Sequence, residues 1–250
     1  GDRYGHRGRR LRRLVPATRG GVPTIRPPVP PTTLGLKSPP SLPARMDADG
    51  LRAAVEAEHA DALSLLGSPD LLVGLSGGGP DPVPAALLRA AADSEYAAYE
   101  TFHEWAGAAA DPGLHGTFAE VANQEAEHFR RVRAAMAAPE DHDAERAGPM
   151  HAYLRGREDP IQQVAGGMVG RTLVSLRTHG RLIDFFDAAA DRDRAALFRD
   201  LRDETATCLD EGLATLDERA EGDDWAAAEA VAGYTVRLAA DDLRDALRDG

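Results

Sequence analysis

Three residues of this chain pair chemical capability with a place among apolar side chains: Glu95, Glu125 and His128. Read at helical period, one stripe runs Leu88, Ala91, Glu95, Ala98/Tyr99, Phe102, Trp105. A second runs Phe118, Val121, Glu125, His128/Phe129, Val132, Met136. An acid in such a stripe faces the core, where an unpaired charge is costly. Glu125 and His128 form Glu-x-x-His within NQEAEHF, so carboxylate and imidazole leave one face a turn apart. Glu95 and Glu125 are equidistant from residue 110, inside a turn signal, and an antiparallel hairpin brings them to similar depth. Two carboxylates and an imidazole converging inside a bundle call for a neutralising cation, and iron or manganese suits these donors. The plainer reading is a chance pair on a solvated face, in a chain with 41 acids and eight histidines. The shared inward register and the matched Glu95 weigh against it.

A second hairpin offers less. Leu201, Glu204, Cys208 and Glu211 lie near one stripe, so Glu204 stands where a further ligand is expected, but the position three residues on is Thr207, a poor ligand. Otherwise Glu204 is an exposed or arginine-paired acid, with Arg171 or Arg177 as partner. Residues 160–183 contain no acid, and their inward line reads Val164, Met168, Thr172, Ser175/Leu176, His179, Ile183. His179 is a substitute ligand slightly too near the turn, or a core histidine with its hydrogen bond met. Cys208 reads as a small packing residue. His103, His115, His142 and His151 show no inward clustering with acids.

The elements that position these residues are all helical. Asp-Pro pairs at 81–82, 111–112 and 159–160 signal starts, an Asp cap followed by Pro at the first position. They predict helices near 83–108, 112–137 and 160–189, with further helices at about 48–66, 192–219 and 224–247 and a short one at 150–156. Period-two alternation is nowhere sustained, so the fold class is all-α. The long helices form two tight hairpins joined by a crossover over about 138–159. That connectivity predicts a ferritin-like four-helix bundle with flanking N- and C-terminal helices.

Residues 1–45 differ from the rest. They hold nine of the 17 prolines and ten basic residues against one acid, and lack apolar periodicity. They are expected to be a disordered basic extension, followed by the helical domain over 46–250. Their Arg-rich start lacks the apolar run of a secretion signal. After residue 45 the balance inverts to 19 arginines against 40 acids, with no lysine. Such a surface fits a halophilic, salt-adapted protein and argues against direct nucleic-acid binding by 46–250. One cysteine excludes an internal disulfide and a four-cysteine metal site. No apolar run is long enough for a membrane helix, so a cytoplasmic protein is expected.

SEYAAYETF and FAEVANQEAEHF resemble the first half of the ferritin-like superfamily, rubrerythrin-like proteins above all. HAYLRGREDP and GGMVGRTLVSLR are similar to a short, halophilic archaeal group of them. The bundle resemblance covers about 84–218; the metal motif covers the first hairpin. It implies a di-iron or di-manganese centre and peroxide reduction, with Glu95 as terminal ligand, Glu125 as bridging ligand and His128 as imidazole ligand. The weaker second half, with Glu204 alone, makes a mononuclear or incomplete dinuclear site the expectation. Lacking the cysteines of a rubredoxin domain, a redox-active protein needs an external electron donor. A homodimer is compatible with this reading. The alternative is a catalytically degenerate scaffold acting as a regulatory or protein-binding module, since some members of the group carry a transcription-antitermination label. Metal storage is a third option, without visible cage-forming surfaces.

Overall fold

The computed structural model describes residues 46–77, 81–144 and 148–249; the basic extension expected over 1–45 lies outside them. Among the described residues every regular element is helical. In chain order they are α1 Ala48–Glu58, α2 Ala60–Leu66, α3 Asp70–Leu75, α4 Pro84–Ala108, α5 Pro112–Ala134, a 3-10 turn Pro139–Asp141, α6 Pro149–Arg155 and α7 Pro160–Gln163. Next come a π-helical segment Val164–Gly170, α8 Arg171–Ala188, α9 Arg192–Arg219 and α10 Asp224–Asp249. The all-α class expected from the sequence is present. Helix α4 packs along α5, and α8 along α9, each pair closed by a short loop; α10 lies against the π segment and α1–α3. No helix among the described residues is long and apolar enough to cross a membrane.

Caps set the hairpin boundaries. The Asp111 carboxylate accepts from the Leu114 N–H at 2.8 Å, and Asp159 from Gln162 at 3.0 Å, each with Pro at the first helical position. Asp191 caps α9 through the Arg194 N–H at 3.1 Å. The start expected at Asp81-Pro82 moves to Pro84. A residue before proline is driven out of the helical region, and Val83 is extended at φ −101°, ψ 119°. The single helix expected over 48–66 is two. His59 breaks it at φ −107°, ψ 24°, with its ring over Gly233 of α10, where any Cβ would collide with it.

The helix expected over about 160–189 contains the π segment, which sequence periodicity does not reveal. All seven of its residues are buried. Glycine permits the approach: a Cβ on Gly167 would lie 2.6 Å from Trp105 Cζ3, and one on Gly170 would lie 2.6 Å from the Ala232 carbonyl oxygen. Widening one turn to i→i+5 bonding advances the phase of every later residue in the helix, and such turns gather at functional sites. Arg171 is the first residue after it.

Two apolar clusters fill the bundle. One is built on Phe102, Trp105, Phe118, Met168 and Leu209; the other on Leu87, Leu88, Leu182, Phe186, Phe198 and Leu201. Along α4, α5 and α9 the residues between these clusters include Glu95, Glu125, His128 and Glu204. The polar side chains form one layer between two dry ones.

Replacing Gly170 with Ala forces a methyl group against backbone that cannot move aside. It should cost about 2 kcal/mol in urea unfolding. Gly180→Ala, at a helical site with nothing within 4 Å of the new Cβ, should instead stabilise by about 0.5–1 kcal/mol.

Candidate metal centre

Helix α4 supplies Glu95, α5 supplies Glu125 and His128, and α8 adds Arg171 and His179. All five are at least 95% buried. One potential ligand atom each from Glu95, Glu125 and His128 lies within 4.8 Å of the other two. His128 Nδ1 is 3.7 Å from Glu95 Oε2 and 3.6 Å from Glu125 Oε2. Neither distance is a hydrogen bond, and Nδ1 and Glu125 Oε2 have no hydrogen-bond partner. Ligands about 2.1 Å from one metal ion stand roughly 3.0–3.4 Å apart. The two distances from His128 Nδ1 are thus a few tenths of an ångström longer than in a closed coordination shell, and all three ligand atoms lie within 4.8 Å of one another. With two of these atoms lacking hydrogen-bond partners, the group could hold a metal ion.

Glu204 takes a different place. Its side chain is 43% exposed, and its Oε2 lies 2.8 Å from His128 Nε2, across the ring from the two buried carboxylates. Its Oε1 accepts from Arg131 Nη1 at 2.9 Å, and Arg131 also reaches Asp200 at 2.9 Å. The structure therefore brings Glu95, Glu125 and His128 together and sets Glu204 behind the imidazole. There it can accept a hydrogen bond from Nε2–H, which in the neutral ring leaves the Nδ1 lone pair facing the carboxylates, as outer carboxylates do for metal-binding histidines. The arginine partner is Arg131, neither Arg171 nor Arg177.

Arg171 has a role that helical period does not assign. Its Nη2 donates to Glu125 Oε1 at 2.7 Å and its Nε to the Gly167 carbonyl at 3.0 Å, within the π segment. It supplies a fixed positive charge on the side of Glu125 facing α8. His179 is likewise part of the layer, with Nε2 3.1 Å from Glu95 Oε1. The long glutamate side chain absorbs the offset expected from the turn. The first of three arginines in the acid-free run 160–183, set directly after its glycine-rich stretch, is the signal that sequence offers for it. The π segment masks that signal by shifting the helical phase. His151, which the sequence does not cluster with acids, is also buried. Cys208 is buried, and burial pushes its thiol up to about 12, in keeping with an uncharged packing role.

Charges in the layer balance without an ion. Burial pulls the Glu95 carboxyl upward, yet His128 and His179 hold it well below the usual carboxylate range. Burial also opposes charge on His128, but Glu125 and Glu95 outweigh it and push the ring up to about 10. Burial disfavours the Arg171 cation as well; Glu125 and Glu95 more than restore it. Two carboxylates thus face one guanidinium and one imidazolium. A divalent ion would enter by displacing the His128 proton.

This balance can be tested from both sides. Arg171→Met should destabilise the fold by about 3–5 kcal/mol, by leaving Glu125 buried and uncompensated, whereas Arg171→Met with Glu125→Leu should recover most of that loss in chemical denaturation. In metal-free protein His128, with its pKa raised above an unfolded value of 6.5, contributes stability that is complete below about pH 6.5. That contribution is lost as pH rises toward 10. The stability difference between wild type and His128→Gln should shrink over that window. Compared with known protein families, characterised proteins and solved structures, the chain matches none.

Proposed function

We propose that this protein is a rubrerythrin-like member of the ferritin-like superfamily that binds one iron or manganese ion in the cytoplasm, through Glu95, Glu125 and His128 Nδ1. The observation that carries the reading is the convergence of two buried carboxylates on an imidazole nitrogen that lacks any hydrogen-bond partner. The two-hairpin order, the Glu-x-x-His on α5 and the motifs around Glu95 and Glu125 support the superfamily. A bound iron or manganese ion would supply redox and Lewis-acid chemistry toward peroxide or oxygen. The chain's own residues do the rest. Glu204 fixes the His128 ring, His179 orients Glu95, and Arg171 holds one oxygen of Glu125. With Arg171 spending its charge on Glu125, the site is suited to one ion rather than two. Electrons would come from an external donor, because the single cysteine cannot hold a rubredoxin iron.

A second reading has its own support. Because Arg171 and a protonated His128 already balance Glu95 and Glu125, the layer is also stable as a metal-free scaffold, with a regulatory or protein-binding role. Elemental analysis of the full chain purified after growth with added iron and manganese separates the two. The metal reading expects about one ion per chain, at least a hundredfold weaker binding in Glu125→Gln and His128→Gln, and a loss of about ten- to hundredfold in Glu204→Gln. Folded wild-type protein that stays metal-free at millimolar iron or manganese would establish the scaffold instead. Peroxide consumption with a chemical reductant, present in wild type and absent in His128→Gln, checks the activity.

A further inference from the structure

A cavity of about 320 Å³ opens beside the polar layer, bounded by α3, α4, α8 and α10, with α6 at one end. Its walls are largely apolar, with Leu71, Leu75, Val174 and Leu243 among them, and it reaches Glu95 and His179. That size falls at the lower end of small-molecule sites. His151 of α6 also lines it. Only 4% of this residue is exposed, and neither ring nitrogen has a hydrogen-bond partner. His179 Nδ1 is likewise without a hydrogen-bond partner. Buried polar atoms are almost always satisfied. A buried imidazole with both nitrogens idle, lining an apolar cavity, therefore marks the place of a missing polar partner.

The lining selects the chemistry. Burial and the nearby Arg171 and Arg155 push His151 down to about 3, so the ring is neutral and offers one donor and one acceptor. A hydroxyl can answer whichever nitrogen it reaches, donating to the bare one or accepting from the N–H. Glu95, Asp93 and Asp242 also line the cavity and disfavour an anion there, while the charges of Arg171 and Arg155, felt by His151, disfavour a cation at its end of the cavity. We propose that this cavity binds a neutral small molecule with an apolar body and a terminal hydroxyl. The hydroxyl pairs with His151, and the body lies along Leu71, Val174 and Leu243. Such binding needs no metal, although the cavity borders the polar layer at Glu95 and His179.

Calorimetric titration of the full chain with n-octanol, octanoate and octylamine tests it, using metal-free protein. Saturable n-octanol binding is expected, with octanoate and octylamine at least tenfold weaker. His151→Leu, which keeps the bulk but removes both nitrogens, should weaken n-octanol about tenfold. Val174→Phe, which fills the space, should abolish binding, and Gly180→Ala, at a helical position outside the cavity lining, should leave it unchanged. No saturable binding to wild type, equal or tighter binding of octanoate or octylamine, or n-octanol affinity unmoved by a folded His151→Leu or Val174→Phe protein would each overturn the proposal.

Discussion

Two carboxylates inside a helical bundle must be neutralised, and much of the architecture around Glu95 and Glu125 answers that demand. An ionised carboxylate loses far more solvation on burial than any single neutral hydrogen bond returns. Each acid here meets a nitrogen group at close range: Arg171 at 2.7 Å for Glu125 and His179 at 3.1 Å for Glu95, with His128 facing both. Arg171 belongs to a helix that must come close and turn the right face inward. The glycines of the π segment allow the approach, and the widened turn sets the phase. Removing that turn would point a different residue at Glu125.

The dry clusters on either side matter as much as the charges. Aromatic packing of Phe102, Trp105 and Phe118 closes one end, and the stacked Phe186–Phe198 pair, with centroids 5.8 Å apart, closes the other. Between them the local dielectric is low, which strengthens every ion pair and penalises any unmade one. This is why a nitrogen without a partner, His128 Nδ1, carries weight here that it would lack at a surface. The same setting makes the arrangement ambivalent: a proton on His128 and a cation beside it are rival ways of completing one charge balance.

Much of this is legible in the residues. Helical period places Glu95, Glu125 and His128 inward, and capping chemistry at Asp111 and Asp159 locates the first hairpin and the start of the second. The remainder depends on interactions that period cannot encode. The π segment, packed through its glycines against α10 and Trp105, changes helical phase, so in sequence Arg171 reads as a partner for Glu204 rather than for Glu125. Val83 lies outside the helix because of Pro84, a local effect that the competing Asp81-Pro82 signal obscures. Glu204 sits on the inward stripe by count, yet its long side chain bends around the imidazole toward solvent and Arg131. His151 is unreadable because its burial comes from α6, within a crossover whose packing no periodicity foretells.

The pairing of His128 Nε2 with the half-exposed Glu204 has a kinetic side. A buried ring is ordinarily isolated from bulk solution and exchanges its proton only when the fold opens. Here the Nε2 nitrogen is hydrogen-bonded to a carboxylate that itself meets water, while the helices remain closed. The buried ring therefore has a hydrogen-bonded link to the protein surface that does not depend on opening the helices.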